Sequence, residues 1–159
     1  MAARSSTAFI NALLGGTAFA DIFLNGCIEV YSGAQPASAD AAVTGTLLAR
    51  VTRDGGAWVA GSPGNGLQFD VTGRFVTKRF DHRWVLKGLA TGTAGWYRLR
   101  GNVADAGGVS LLLPRLDGSV GLPEAETANQ LLLSDLAITP ATEREMPYFY
   151  YTIPSGEAS

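Results

Sequence analysis

The amino-acid sequence predicts an all-β protein, an antiparallel β-sandwich of jelly-roll type with a short helical segment at its N terminus. Three observations lead to this prediction. From residue 27 onward apolar and polar residues alternate with a period of two, which is typical of strands. Turn-forming glycine, asparagine, aspartate and proline residues interrupt these runs at short intervals. No long stretch of helical periodicity follows residue 25, and many short strands with frequent turns are typical of sandwiches and barrels.

Residues 1–26 are predicted to form an N-terminal helical arm. Ser5 or Ser6 can cap a first helix, because a serine hydroxyl accepts a hydrogen bond from the unpaired amides of the first turn. The apolar side chains on one side of this helix are Phe9, Ile10, Leu13 and Leu14. A second helical turn is predicted over residues 17–24. Its apolar side chains, which face one way, are Phe19, Ile22 and Phe23.

This arm imitates a signal peptide, since a basic residue precedes an apolar run that ends in small residues. Asn11 interrupts the run and Arg4 is its only positive charge, so export is not predicted. Asn11, Asp21 and Asn25 also leave no window of about 20 apolar residues, so a membrane span is not predicted either.

Residues 27–154 are predicted to form the β-sandwich domain, and residues 155–159 a flexible tail. The strand candidates are 27–33, 67–71, 74–80, 83–89, 92–101, 129–139 and 146–154. Two further segments are each expected to hold a strand, a turn and a second strand. They are 45–61, with a "DGG" turn, and 107–122, with a "DG" turn.

The strand around Trp96 raises the question of what a partly aromatic, partly basic strand is for. Alternation places Trp96 and Arg98 on one face and Tyr97 and Leu99 on the other. One aromatic can then fill the interior while the other lies on the face that carries the arginines. In the last strand Tyr148 and Tyr150 share one face, and Phe149, Tyr151 and Ile153 share the other. A strand that is apolar on both faces is predicted either to lie inside a sandwich or to be covered by a neighbour.

Composition favours a protein that associates with others over a catalyst. Hydrophobic residues are 47% and charged residues 16% of the chain, so part of the surface is expected to be covered by copies or by a partner. One cysteine and one histidine allow no disulfide within the chain, and they give little basis for a nucleophilic pair or a zinc site. We therefore predict no enzyme activity, no catalytic or metal-binding residues, no cofactor and no small-molecule substrate.

Charge is unevenly distributed along the chain. Nine of the twelve basic residues lie between residues 50 and 100, where the acidic residues are Asp54, Asp70 and Asp81. Folding can scatter these charges over solvated strand faces. If the polarity survives folding, it could orient contacts between subunits, or the basic and aromatic residues could form a groove for single-stranded nucleic acid. The sequence pI of about 5.3 argues against the nucleic-acid alternative.

Four stretches resemble a family of small structural proteins from tailed bacteriophages and prophages. They are "RSSTAFINALL", "IEVYSGAQPASADAAVTGTLLARVTRDGGAW", "GLATGTAGWYRLRGNVADAGG" and "LPRLDGSVG". The resemblance runs from about residue 4 to about residue 153 and includes a "TGTLL" strand and a "GTAGW" strand. The chain has "GGTAFAD" where the family often has a charged "DA" after the apolar helix, so docking of its N terminus could differ.

The resemblance implies a virion component made in the bacterial cytoplasm. The role it favours is a capsid decoration or cement protein on the capsid surface, which binds the major capsid protein at joints between subunits. A tail- or connector-associated structural or adhesion protein is the alternative. We also expect a homo-oligomer, a dimer or trimer. The residues predicted to form interfaces are Phe9, Ile10, Leu13, Leu14, Phe19, Phe23, Trp96, Arg98, Arg100, Tyr148 and Tyr150.

Overall fold

A computed structural model describes residues 3–125 and 131–152. The helices are α1 (Thr7–Leu14) and α2 (Phe19–Ile22), and one 3-10 turn spans Pro123–Ala125. The strands are β1 (Arg4–Ser5), β2 (Cys27–Ser32), β3 (Leu47–Arg53), β4 (Phe69–Thr72), β5 (Phe75–Lys78), β6 (Trp84–Gly88), β7 (Gly92–Arg100), β8 (Arg115–Gly121), β9 (Leu131–Leu132), β10 (Ala137–Ile138), β11 (Glu143–Met146) and β12 (Tyr150–Thr152). The predicted all-β class with a short N-terminal helix is confirmed.

Two sheets form the body of the protein. The large sheet has the order β1-β8-β7-β2-β3-β6-β11, and all of these neighbours are antiparallel. The short strand β10 pairs with β7 in antiparallel orientation, and the short strand β9 pairs with β8 in parallel orientation. The small sheet has the order β12-β5-β4. This arrangement is consistent with a sandwich.

The core lies where one face of the large sheet meets the small sheet and the helices. Aromatic rings join the three parts, since Phe69 of β4 contacts Trp84 of β6 and Phe19 of α2 at centroid distances of 5.3 Å each. Phe19 also stacks on Tyr151 of β12 at 5.4 Å. Such contacts add about 0.5–1.5 kcal/mol per pair to the burial of apolar area. The N-terminal helices are therefore part of the same hydrophobic core as the sheets.

The helix signals in the sequence predict the arm well. Ser6 caps α1, and its hydroxyl accepts a hydrogen bond from the Phe9 amide. Asn25 has φ of 59°, the left-handed conformation expected after α2. Among the described residues no helix is long and apolar enough to cross a membrane.

The prediction of a strand after the "DGG" turn is wrong. Asp54 and Gly55 do form a turn, with φ of 56° and 69°. The chain beyond this turn cannot pair with β3, because β2 and β6 already occupy both edges of that strand. Residues 57–60 instead form a loop, and the Trp58 indole donates a hydrogen bond to the Asn25 carbonyl.

The strand and turn predicted in 107–122 are also wrong. Asp117 and Gly118 lie inside the continuous strand β8, and residues 107–113 form a loop. The carboxylate of Asp117 binds Arg98 across the sheet, which fixes it in the strand. Gly118 allows the Tyr97 ring to approach, because a Cβ there would lie 2.5 Å from the ring.

The two C-terminal strand predictions are only partly confirmed. Within 129–139 the described strands are the two-residue β9 and β10, and residues 129 and 130 lie outside the described residues. Within 146–154 the strand is β12, preceded by β11, which pairs with β6. Residues 153–159, including Ile153 and the predicted tail, lie outside the described part of the chain.

Candidate interaction surface

The large sheet has one face toward the core and one polar face. Trp96, Arg98 and Arg100 lie on the polar face, whereas Tyr97 and Leu99 belong to the core, as the alternation predicts. Tyr31 of β2 lies directly opposite Trp96, and their rings stack at 4.7 Å with an interplanar angle of 16°. We call this side of the sheet the polar face.

The arginines of the polar face are buried and form ion pairs with acidic side chains. Arg98 donates from Nε and Nη2 to the two carboxylate oxygens of Asp117, at 2.7 and 2.8 Å. The exposed fractions of these side chains are 1% and 0%. Arg115 binds both oxygens of Asp105 in the same two-point geometry, at 2.8 and 2.6 Å. Two-point pairs of this kind are among the strongest hydrogen bonds in proteins.

Burial and the arginines act in opposite directions on these carboxyl groups. Burial raises the pKa of Asp117, and the hydrogen bonds and charge of Arg98 oppose that rise. Burial also acts to raise the pKa of Asp105. The hydrogen bonds from Arg115 and from the Gly107 amide outweigh it and hold the pKa of Asp105 below its usual value.

Two loops cover the polar face over β7 and β8. The first loop, residues 33–46, supplies carbonyl oxygens: Ala41 accepts from Arg98 at 3.1 Å, and Thr44 accepts from the Trp96 indole at 3.2 Å. The second loop, residues 101–114, supplies Asp105 and the Val103 carbonyl, which accepts from Arg100 at 3.0 Å. In this region the loops of the protein itself lie on the sheet.

Six of the eleven predicted interface residues are therefore interior. Trp96, Arg98 and Arg100 are buried on the covered polar face, and Phe9, Phe19 and Phe23 are buried in the hydrophobic core. The three phenylalanines form a cluster of their own, with centroid distances of 4.9–5.5 Å. These six side chains are buried within the folded chain itself and stabilise the fold.

The other five predicted residues reach the surface to different degrees. Leu14 is 82% exposed and Ile10 is 45% exposed, whereas Leu13 is half-buried. Tyr148 is exposed and Tyr150 is half-buried, and their rings stack at 6.4 Å. Together with Phe80 these tyrosines line a groove of about 380 Å³ beside β5.

Sequence reasoning missed the most exposed apolar loop. Val109, Leu111 and Leu112 lie on the 107–113 loop, and Leu112 is 88% exposed. The signal was present as the run "VSLLLP", but an apolar run before a proline is also typical of an edge strand.

The 107–113 loop lies beside the start of α1. The Ser6 hydroxyl donates to the Leu113 carbonyl at 3.0 Å. Asp40 joins the same two segments, because it accepts from the Thr7 amide at 2.9 Å through its side chain and from the Ser110 amide at 2.9 Å through its carbonyl. Two neighbouring segments thus carry exposed apolar side chains, and we call them the α1–loop surface. Its exposed side chains are Ile10, Leu14, Val109, Leu111 and Leu112.

Basic residues of the 50–100 segment are interleaved with acidic partners in space. Surface pairs join Arg79 to Asp81 at 2.7 Å and Arg83 to Glu145 at 3.3 Å. Buried or half-buried pairs join Arg50 and Arg100 to Glu29 at 2.8 and 3.4 Å. Folding therefore places acidic side chains beside several of these basic residues.

The described residues show no constellation for metal chemistry or for a thiol nucleophile. Residues 3–125 and 131–152 contain no group of three or more His, Cys, Asp and Glu side chains placed to hold a metal ion. Burial raises the pKa of the Cys27 thiol to about 12, and the neighbouring Glu29 adds to the rise. At neutral pH this thiol is protonated and is a poor nucleophile.

Comparison of the chain with protein families, with curated proteins and with solved structures gave no match.

Proposed function

We propose that this chain is a structural protein of a tailed-bacteriophage virion, a decoration or cement protein that binds the major capsid protein at joints between its subunits. The observation that carries the proposal is the α1–loop surface, where exposed apolar side chains come from two adjacent segments. An isolated protein gains nothing from this exposure, whereas a partner that covers it removes apolar area from water. The sequence resemblance supports the class of particle.

The rest of the molecule supports a structural role. Over β7 and β8 its polar face holds buried two-point ion pairs and is covered by its own loops. A rigid body of this kind loses little conformational freedom on binding, so the surface interactions retain more of their free energy. Full burial of a leucine side chain contributes about 1.5–3 kcal/mol, and a shell of many copies multiplies modest contacts.

A homo-oligomer fits the same description. The tyrosine-lined groove beside β5 is a second surface with exposed aromatic residues, at Phe80 and Tyr148. A dimer or trimer could form through one surface and leave the other for the capsid.

Sedimentation of purified particles that lack this protein, with the protein added back, tests the proposal. The wild type is expected to sediment with the particles, and Leu112→Ser is expected to bind at least about tenfold more weakly, because it removes about 1.5–3 kcal/mol of apolar burial. Val59→Ser is the matched control, since Val59 is also exposed, on a different loop. Equal binding by both variants would remove the support for this surface, and no binding by the wild type would contradict the proposed function.

A further inference from the structure

A small groove with two cations opens on the polar side of β3 and β6. Its volume is about 160 Å³, and Arg50, Lys87, Trp58 and Leu89 line it beside the turn at Gly55. Because a water molecule has a share of about 30 Å³ in the liquid, the groove holds roughly five waters or one small organic acid group.

The two cations are direct cross-strand neighbours. Arg50 of β3 pairs in register with Lys87 of β6, and in the same row Glu29 of β2 and Glu143 of β11 lie on the outer sides. The order of charge across the four strands is therefore minus, plus, plus, minus. Like charges directly opposite each other in a sheet are destabilising.

The acidic neighbours do not remove this conflict. Glu29 binds Arg50 at 2.8 Å, but it also binds Arg100 at 3.4 Å. Glu143 lies 3.9 Å from Lys87, and both of these side chains are about half exposed, which makes the pair weak. The five charged groups sum to one net positive charge, and the neutral thiol of Cys27 adds none.

The remaining walls shape the groove for a group with a short apolar stem. The Trp58 indole is half-buried, with the Arg100 guanidinium 5.0 Å from its ring centroid, and the half-exposed Leu89 also lines the groove. Gly55 leaves room for the lysine stem, since a Cβ at this position would lie 2.8 Å from Lys87 Cε.

We propose that this groove binds a carboxylate group between Arg50 and Lys87, with the apolar stem of the ligand against Trp58 and Leu89. One negative charge matches the net charge of the cluster, whereas a phosphate group carries about two charges at neutral pH. The carboxylate can belong to a free organic acid or to an acidic side chain of a partner protein. The inference does not depend on the virion role.

Tryptophan fluorescence of the folded protein tests this proposal. The sequence has three tryptophans, and Trp84 and Trp96 are fully buried, so collisional quenchers report on Trp58. Iodide is expected to quench it roughly thirtyfold more efficiently than caesium, since one unit charge at about 4 Å in water raises the local concentration of iodide, and lowers that of caesium, by a factor of about five to six each. Acetate at constant ionic strength is expected to protect Trp58 from iodide.

The two lysines of the sequence supply a matched pair of variants. Lys87→Gln is expected to make the quenching constants of iodide and caesium similar and to abolish protection by acetate. The fold should be retained, because the substitution removes a like-charge contact. Lys78→Gln, on the small sheet, is expected to behave like the wild type. Equal quenching by the two ions in the wild type, or the same loss in both variants, would overturn the proposal.

Further ligands distinguish the class and the source of the carboxylate. Stronger protection by inorganic phosphate than by acetate would overturn the assignment to a carboxylate. A blocked Leu-Glu-Leu peptide that protects at least tenfold better than acetate, and better than its Leu-Gln-Leu counterpart, identifies an acidic side chain as the ligand. Equal or weaker protection by the peptide identifies a free organic acid.

Discussion

Replacement of Arg98 by methionine is expected to destabilise the protein strongly, because it leaves the Asp117 carboxylate buried without its partner. Both side chains are essentially inaccessible, and the two hydrogen bonds between them measure 2.7 and 2.8 Å. Loss of one partner of a buried pair costs about 3–5 kcal/mol. Within residues 3–125 and 131–152 the buried Arg98 Nη1 has no hydrogen-bond partner, and removing that group returns part of the cost, so we expect about 3 kcal/mol.

Urea denaturation measures this loss as a change in the free energy of unfolding. Arg79→Met is the control, since it breaks a similarly short pair with an exposed Asp81 and should change the free energy of unfolding much less than Arg98→Met. The double variant Arg98→Met with Asp117→Leu should recover most of the loss, because no uncompensated charge remains. An equal cost for Arg98→Met and Arg79→Met would refute the reasoning that the polar face is a buried, structural ion-pair layer.

Three further predictions concern pH, packing and the arm. The pKa of Asp105 is lowered in the folded state. Its contribution to stability is therefore present above the unfolded pKa of about 4 and is lost as the pH falls through the folded pKa. Asp105→Asn should reduce the slope of the free energy of unfolding against pH below about pH 4. Gly118→Ala should cost about 1–3 kcal/mol in urea denaturation because its Cβ meets a tyrosine ring. Gly108→Ala should cost less than about 0.5 kcal/mol, because in the described part of the chain no atom beyond its own chain neighbours would lie within 4 Å of its Cβ. Phe9→Ala should lower the thermal midpoint by an amount equivalent to about 3–5 kcal/mol, because Phe9 is buried. Leu14→Ala should barely change the midpoint, because Leu14 is exposed. Similar shifts for the two variants would contradict the placement of the arm in the core.

Local patterns predicted the faces of strands but not what covers them. Alternation correctly separated Trp96 and Arg98 from Tyr97 and Leu99, since period two follows from backbone geometry alone. The polar side of β7 looked like a docking face because nothing in its sequence shows that Ala41 and Asp105, from two distant loops, close over it. Burial of that face is a long-range property.

The two Asp-Gly pairs show why turn signals failed once. Asp54–Gly55 forms a turn, whereas Asp117–Gly118 continues a strand, although the dipeptide is the same. The difference is the arginine that lies opposite Asp117 on the neighbouring strand, since its ion pair favours the extended chain. A single sequence gives the dipeptide but not this partner.

The candidate surface was predicted in part for the same reason. Helical spacing places Ile10 and Leu14 with Phe9, but it does not tell which of them joins the hydrophobic core and which faces water. The sequence predicts a strand in the apolar run at 109–113. In the structure β1 and β7 occupy both edges of β8, so this run has no edge of β8 to pair with and forms an exposed loop.

The copy number of this protein in purified phage particles tests the central claim most directly. Quantitative mass spectrometry gives the molar ratio of this chain to the major capsid protein. If the chain is a cement protein, its copy number is expected to lie within a small factor of the copy number of the major capsid protein. Six or twelve copies per particle would assign the protein to the tail or connector, and its absence from all particles would contradict a role in the virion.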